Sequence, residues 1–175
     1  MSASGRNYFR QMEEEIEQDY YSFQQQMQES KTYAERMDEL KEKTQKEFEE
    51  CDLVFTYGTL MKGYGNNTLL EGAFFKGEAE TVEKYMLTAS GVPFVHPKHK
   101  NVNIKGEVWE VRTLRQLLHL DALESHPNWY KREIIEVKVK NKIKKAWIYF
   151  NEDSVGTEIP SGDYRDYRPT YTNFD

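Results

Sequence analysis

A short β-branched and aromatic run, Leu53-Val54-Phe55-Thr56-Tyr57, stops at Gly58 and is followed by Thr59 and Leu60. A buried strand that ends at a glycine has to turn, and glycine can take φ > 0 there. Consecutive amides left unpaired in such a turn form a nest that holds a carboxylate or an oxyanion. The pattern alone is weak, because most strand-to-glycine junctions are only turns.

A second set of residues lies between 114 and 124. Leu114, Leu117 and Leu118 mark an inward helix face, and steps of three, four and seven extend that face to Asp121 and Glu124. Glu124 falls in the last helical turn, where the macrodipole disfavours a negative charge, and partial burial acts in the same direction. Both effects strengthen it as a general base. The plainer alternative is that the two acids flank the core and reach water, the commoner arrangement for acids near a helix end. Thr113 and Gln116 form a capping box at the start of this helix, and Pro127 limits its continuation.

Other chemistry-bearing types are less telling. His96 and His99 are separated by Pro97, have no cysteine or carboxylate at ligand spacing, and are expected in a surface loop. His126, just before Pro127, is expected to serve the turn. Ser90-Gly91 lacks the flanks of a nucleophile elbow, and neither GxxxxGK[ST] nor GxGxxG occurs. The lone Cys51 fits a reducing compartment and no internal disulfide. No metal site is expected.

The elements that must position these groups are legible in the periodicity. Beyond 53–57, strands are expected at 77–87, 102–111, 133–139 and 145–150, with the single helix 114–124 among them. Many short strands with one internal helix predict an α+β domain built on a small barrel or strongly curved mixed sheet. Residues 8–50 contain neither Gly nor Pro, and Phe9, Met12, Ile16, Tyr20, Phe23 and Met27 recur every three or four positions. That predicts an amphipathic helix. Tyr33, Met37, Leu40 and Phe48 keep the period, and Thr32 with Glu35 makes a second capping box, so one long helix and two shorter ones are both open.

The expected division is therefore a helical extension at 1–50 and a domain at 51–175. The extension carries 13 acidic and 7 basic residues, whereas the remainder holds 17 of each sign. A domain neutral overall argues against sequence-independent nucleic-acid binding, and an acidic front end disfavours anionic lipid. No apolar run reaches the roughly 18–20 residues that span a bilayer, and no secretory signal is evident, which predicts a cytoplasmic protein. Residues 1–50 are the expected surface for self-association or a protein partner; alternatively, their aromatic and Met-rich stripe packs back on the domain or stays poorly ordered.

Taken in order, several segments resemble one family. VFTYGTLMKG (54–63), KYMLTASGVPFV (84–95), GEVWEV (106–111), LDALESHPNWYKREIIEV (120–137), AWIYF (146–150) and SGDY (161–164) are similar to segments of the γ-glutamylcyclotransferase-like superfamily, in particular its small γ-glutamylamine cyclotransferase branch. The resemblance covers about residues 53–167 and none of the first 50. It implies a small mixed β-barrel with few flanking helices, an enzyme without metal or cofactor, and a small γ-glutamyl substrate. It also implies that Tyr57, Gly58, Thr59 and Leu60 bind substrate and that Glu124 is the acid/base; Tyr130, shortly after Glu124, and Tyr164 in the tail are expected to line the pocket. The chemistry implied is attack of the substrate's own α-amine on its γ-carbonyl, releasing 5-oxoproline and an amine. A non-catalytic binding module on the same fold, working through its N-terminal helices, is the alternative. Leaving-group choice is expected to rest on loops at 63–68 and 91–100.

Overall fold

The computed structural model describes residues 3–152 and 156–168; before residue 21 it describes the backbone and, of the side chains, only Gln18. The expected apolar positions Phe9, Met12, Ile16 and Tyr20 thus lie outside the described side chains. By its contacts the chain divides into residues 1–45 and 46–175.

The described residues of the first unit, 3–45, lie within one continuous helix, α1 (Ala3–Glu50). The second capping box does not form. Thr32 Oγ1 instead donates to the Gln28 carbonyl one turn back, so the helix runs through. Tyr21, Phe23, Met27, Tyr33, Met37 and Leu40 are all exposed. Among the described residues no helix is long and apolar enough to cross a membrane.

The second unit begins with the last turn of α1 and continues through β1 (Leu53–Thr56), β2 (Phe74–Ser90), β3 (Val92–His96), β4 (Val102–Glu110), α2 (Leu114–Leu123), β5 (Lys131–Val139), β6 (Lys142–Phe150) and β7 (Thr157–Glu158). Short 3₁₀ turns occur at Gly65–Leu70 and Tyr164–Asp166. Strands β2, β4, β1, β6 and β5 pair in that order, and β5 returns to β2. The result is a closed five-stranded barrel. It is mixed because β1 and β6 are parallel while the other pairs are antiparallel. Strands β3 and β7 pair with β2.

Closure depends on a short stretch of β2. Ala79 and Glu80 pair with Gly106 and Lys105 of β4 on one side and with Val139 and Lys138 of β5 on the other. The β2–β4 register breaks on both sides of this stretch, and such irregularities sharpen the local twist. Thr81 stitches the second break, accepting from Ile104 N–H at 2.9 Å and donating to the Glu83 carbonyl at 2.6 Å. Between β5 and β6 the chain reverses at Lys140 and Asn141, both with φ > 0, as a tight two-residue hairpin turn requires.

Alternation along the strands sorts the side chains into two clusters. Phe55, Val108, Ala146, Ile148 and Phe150 join Leu87, Ile104 and Val137 in one. Their neighbours Val54, Trp109, Trp147 and Tyr149 face the other way and pack with Leu117 and Leu120 of α2, Leu70, Cys51 and Phe48. Both faces of β6 are covered, which explains its unbroken apolar run Ala146-Trp147-Ile148-Tyr149-Phe150.

Three expectations need correction. The buried face of α2 is Leu117, Leu120 and Asp121, while Leu114 and Leu118 are only half-buried, so the stripe is rotated from the expected one. His96 lies in β3 and is buried, with its Nε2 3.0 Å from Thr88 Oγ1, whereas His99 is exposed as expected. Residues 91–100, expected as a loop, include β3 because Val92 to His96 pair with Ser90 to Met86. The neutral overall charge also hides an uneven distribution. Lys138, Lys140, Lys142, Lys144 and Lys145 are all exposed on the β5–β6 hairpin and form no ion pair among the described residues.

Gly106 shows how tightly β1 and β4 are packed. A β-carbon there would fall 2.1 Å from the Thr56 carbonyl oxygen and 2.9 Å from the Phe55 ring. Backbone cannot yield as a flexible side chain can, so Gly106→Ala is expected to destabilise the domain by about 2–3 kcal/mol, read from the urea midpoint.

Candidate active site

One cleft gathers most of the expected residues. It is lined by Thr56, Tyr57, Gly58, Thr59, Leu60, Asn66, Val92, Pro93, Leu123, Glu124, Trp129, Tyr130 and Tyr149, and its volume is about 120 Å³. That is well below the roughly 300–1,000 Å³ of pockets that enclose drug-sized ligands, and suits one amino-acid-sized group. It forms where the parallel neighbours β1 and β6 end, with the C-terminus of α2 and the start of β3 contributing the remaining walls.

The turn after β1 is held by its carbonyls. Gly58 O accepts from Met61 N–H at 2.9 Å, Thr59 O from Asn66 N–H at 3.2 Å, and Leu60 O from Asn67 Nδ2 at 2.8 Å. Asn66 Nδ2 also reaches Thr59 Oγ1 at 2.9 Å, and Lys62 N–H donates to the buried Glu107 carboxylate at 3.0 Å. The amides of Gly58, Thr59 and Leu60 donate to no group among the described residues. Three adjacent donors therefore remain available to an anion at the cleft. Gly58 itself does not use φ > 0. Its missing side chain is required by packing instead, since a β-carbon would lie 2.2 Å from Pro93 Cγ.

Glu124 sits opposite in sequence terms, as the residue that ends α2, with φ −82° and ψ −1°. Its amide donates to Leu120 O at 3.0 Å and its carbonyl accepts from Tyr130 N–H at 3.2 Å. Removal from water pushes its carboxyl up from 4.5 to about 7. The Thr113 cap does form, with Thr113 Oγ1 accepting from Gln116 N–H; Gln116 Oε1, however, accepts from Arg112 N–H rather than from Thr113.

Three phenols surround this carboxyl. Tyr57 Oη donates to the Tyr149 carbonyl, Tyr130 Oη to Pro93 O at 2.8 Å, and Tyr149 Oη to Asp121 Oδ1 at 2.6 Å. Burial first, then neighbouring phenol and carboxylate charge, raises the pKa of Tyr57 and Tyr130; for Tyr149 it is burial and then Asp121. All three therefore stay neutral hydrogen-bonding groups. The candidate Tyr164 is not among the lining residues. Its hydroxyl donates to Gly91 O at 2.8 Å and its ring stacks on Tyr167.

Asp121, the other acid on the expected inward face, receives Arg132 Nε at 2.8 Å on Oδ1 and Arg132 Nη2 at 3.2 Å on Oδ2. His126, expected at the turn, accepts Arg132 N–H on Nδ1 at 3.1 Å. Asn66 and Pro93 fall within the segments 63–68 and 91–100 expected to choose the leaving group, whereas sequence reasoning did not single out Trp129 and Tyr149 in the lining or Glu107 and Arg132 behind it. Two of these left a trace: Asn66-Asn67 follow Thr59-Leu60 by seven residues, and Glu107 is an acid set between Gly106 and the apolar pair Val108-Trp109 in β4. Among the described residues no group of three or more His, Cys, Asp or Glu is placed to hold a metal ion.

Residues 54–166 match the family model described as gamma-glutamyl cyclotransferase, AIG2-like. The chain belongs to that family. A provisionally named gamma-glutamylcyclotransferase of Methanocaldococcus jannaschii is 39% identical over 119 residues, which are 67% of this chain and 98% of the relative. The human gamma-glutamylaminecyclotransferase is 34% identical over 96 residues, 50% of this chain and 62% of that protein. Among solved structures, the mouse AIG2-like protein superposes with a TM-score of 0.55 at 26% identity, covering 59% of this chain and 79% of its own.

The raised Glu124 carboxyl links stability to pH. Its folded value of about 7 lies above its ordinary 4.5, so the folded state holds the extra proton between these values and stability falls as pH rises through about 7. Glu124→Gln removes that loss. The variant is expected to be more stable than wild type by about 1–3 kcal/mol at pH 8 and to match it at pH 4, measured by urea unfolding at both values.

Proposed function

We propose that this domain is a γ-glutamyl cyclotransferase that acts on γ-glutamyl amines and releases 5-oxoproline and the free amine. The observation that carries the reading is that Glu124, with its raised carboxyl, and the unpaired amides of Gly58, Thr59 and Leu60 belong to one cleft. The names of the family and of the relatives described above agree with it.

The substrate brings its own nucleophile. With the γ-glutamyl group folded in the cleft, the α-nitrogen attacks the γ-carbonyl carbon, and holding both in one molecule removes most of the entropic barrier. Glu124, as carboxylate, takes the proton that the α-nitrogen gives up when the new C–N bond forms. It returns that proton to the departing nitrogen as the old C–N bond breaks, so no proton is consumed overall. A group with a pKa of about 7 can do both near neutrality. The amides at 58–60 supply donors for the substrate carboxylate or the developing oxyanion.

The finer reading, an amine as leaving group, rests on the rest of the lining. Among the described lining residues Glu124 is the sole charged side chain, and Val92, Pro93, Leu123 and Trp129 are apolar. Tyr57 and Tyr130 are buried, but Trp129 is 50% exposed and Val92 36%, which puts these two at the mouth where a leaving group would emerge. A leaving group bearing a carboxylate would find no cation there, whereas an alkyl or aryl amine would find apolar contact.

The test is 5-oxoproline release, followed by mass spectrometry, from γ-glutamyl-n-butylamide, γ-glutamylalanine and glutathione. The butylamide is expected to have a kcat/KM at least about tenfold above the other two, the scale of discrimination that apolar contacts give. Its kcat/KM should rise with pH through about 7 as Glu124 ionises. Glu124→Gln is expected to lower release by at least about a hundredfold, in line with loss of a general base. Equal use of all three substrates would remove the amine preference; no release from any would leave the binding-module reading.

A further inference from the structure

We infer that Glu47, in the last turn of α1 and outside the residues that match the family, is a positioning residue for Glu124. The inference rests on the reading of Glu124 as the acid/base, and its test includes a measurement that does not need turnover.

The argument starts at Arg132. Its side chain is 1% exposed, so a full positive charge lies where water cannot solvate it. Three interactions hold it: the Asp121 carboxylate through Nε and Nη2, the Glu47 carboxylate at 2.7 Å through Nη2, and the Trp147 ring 4.3 Å from its central carbon. Nη1 is buried and has no partner among the described residues. Nη2 bonds Glu47 more closely than Asp121, so Glu47 helps fix the plane in which the guanidinium meets Asp121.

Asp121 in turn controls the cleft. It lies one turn before Glu124 on α2, where residues three apart share a face, so clamping Asp121 fixes the roll of the helix end that carries Glu124. Its Oδ1 also accepts the Tyr149 hydroxyl, and the Tyr149 carbonyl accepts Tyr57 Oη. Glu124, Tyr149 and Tyr57 all line the cleft. They share a support in Asp121, which is oriented by Arg132, which is oriented by Glu47. Phe48 beside it packs on the Leu117 and Leu120 cluster, which anchors this last turn of α1 in the domain.

Removing the Glu47 carboxylate leaves a buried guanidinium with a second under-used nitrogen. The guanidinium can recover a bond only by turning, and turning breaks the fork on Asp121. The cleft then loses alignment without losing any residue that touches substrate.

The experiment compares full-length wild type, Glu47→Ala and Glu47→Gln, with Lys46→Ala as a neighbouring control. Two measurements are made: steady-state kinetics with the best γ-glutamyl substrate, and the Glu124 carboxyl titration followed by ¹³C NMR. Glu47→Ala is expected to lower kcat about tenfold with KM within about twofold of wild type, the signature of misaligned reacting groups. It is also expected to move the Glu124 midpoint down toward 4.5 as water reaches the carboxyl. Glu47→Gln keeps an acceptor for Nη2 and is expected to recover most of both, and Lys46→Ala to change neither. If Glu47→Ala unfolds, Glu47→Gln decides, because a smaller change of the same sign in kcat and midpoint is then required. A Glu124 midpoint and kcat unchanged in folded Glu47 variants would overturn the inference. A shifted midpoint with no turnover by wild type would retain the positioning and reject only the catalytic reading.

Discussion

A positive charge that cannot reach water must be answered by the protein, and in this domain the answer to Arg132 organises everything around the cleft. Asp121 reaches it from α2, Glu47 from α1, and the Trp147 ring covers it from β6. The backbone of the same residue ties to His126, so the connection between α2 and β5 is drawn in as well. Uncompensated burial of one such charge costs several kcal/mol, more than a marginally stable domain can lose at one point. The elements that meet at Arg132 are consequently the elements that carry Glu124 and Tyr149.

The barrel supplies the complementary rigidity. Its closure through Ala79 and Glu80 keeps β1 and β6 as parallel neighbours, and the turn after β1 and Tyr149 near the end of β6 both line the cleft. Gly106 lets β4 lie against the Thr56 carbonyl just before the turn, and Glu107 then captures Lys62 just after it. The turn at 58–60 is therefore pinned on both sides by β4. Its carbonyls are all used, while its amides have no partner among the described residues.

Much of this was legible in the sequence, for reasons that can be named. Strand alternation and the Thr113 cap are local signals, so the elements at 53–57, 102–111 and 114–124 could be placed to within a residue or two. The turn at 57–60 and Glu124 were weak signals when read separately, and the resemblance joined them. Side chains whose role comes from a distant partner were not legible. Nothing local marks Arg132 as buried, because its partners lie 11 and 85 residues away. His96 read as a loop residue because the Pro on its C-terminal side hid the end of a strand. Gly58 read as a conformational requirement when it is a steric one, since Pro93 is brought against it only by the fold.

The lysine-rich hairpin has a consequence for how this molecule behaves in solution. A formal net charge of −6 and an isoelectric point near 5.4 describe an anion, as seen from far away. Screening at physiological ionic strength cuts electrostatic reach to about 8 Å, so a neighbour at contact distance feels the nearest side chains and not the total. At the tip of β5 and β6 Lys138, Lys140 and Lys142 form no ion pair among the described residues, although Glu80 lies across from Lys138. An acidic surface that meets the hairpin tip is therefore expected to be attracted over a few ångströms despite the net negative charge, and the attraction to fall as salt is added.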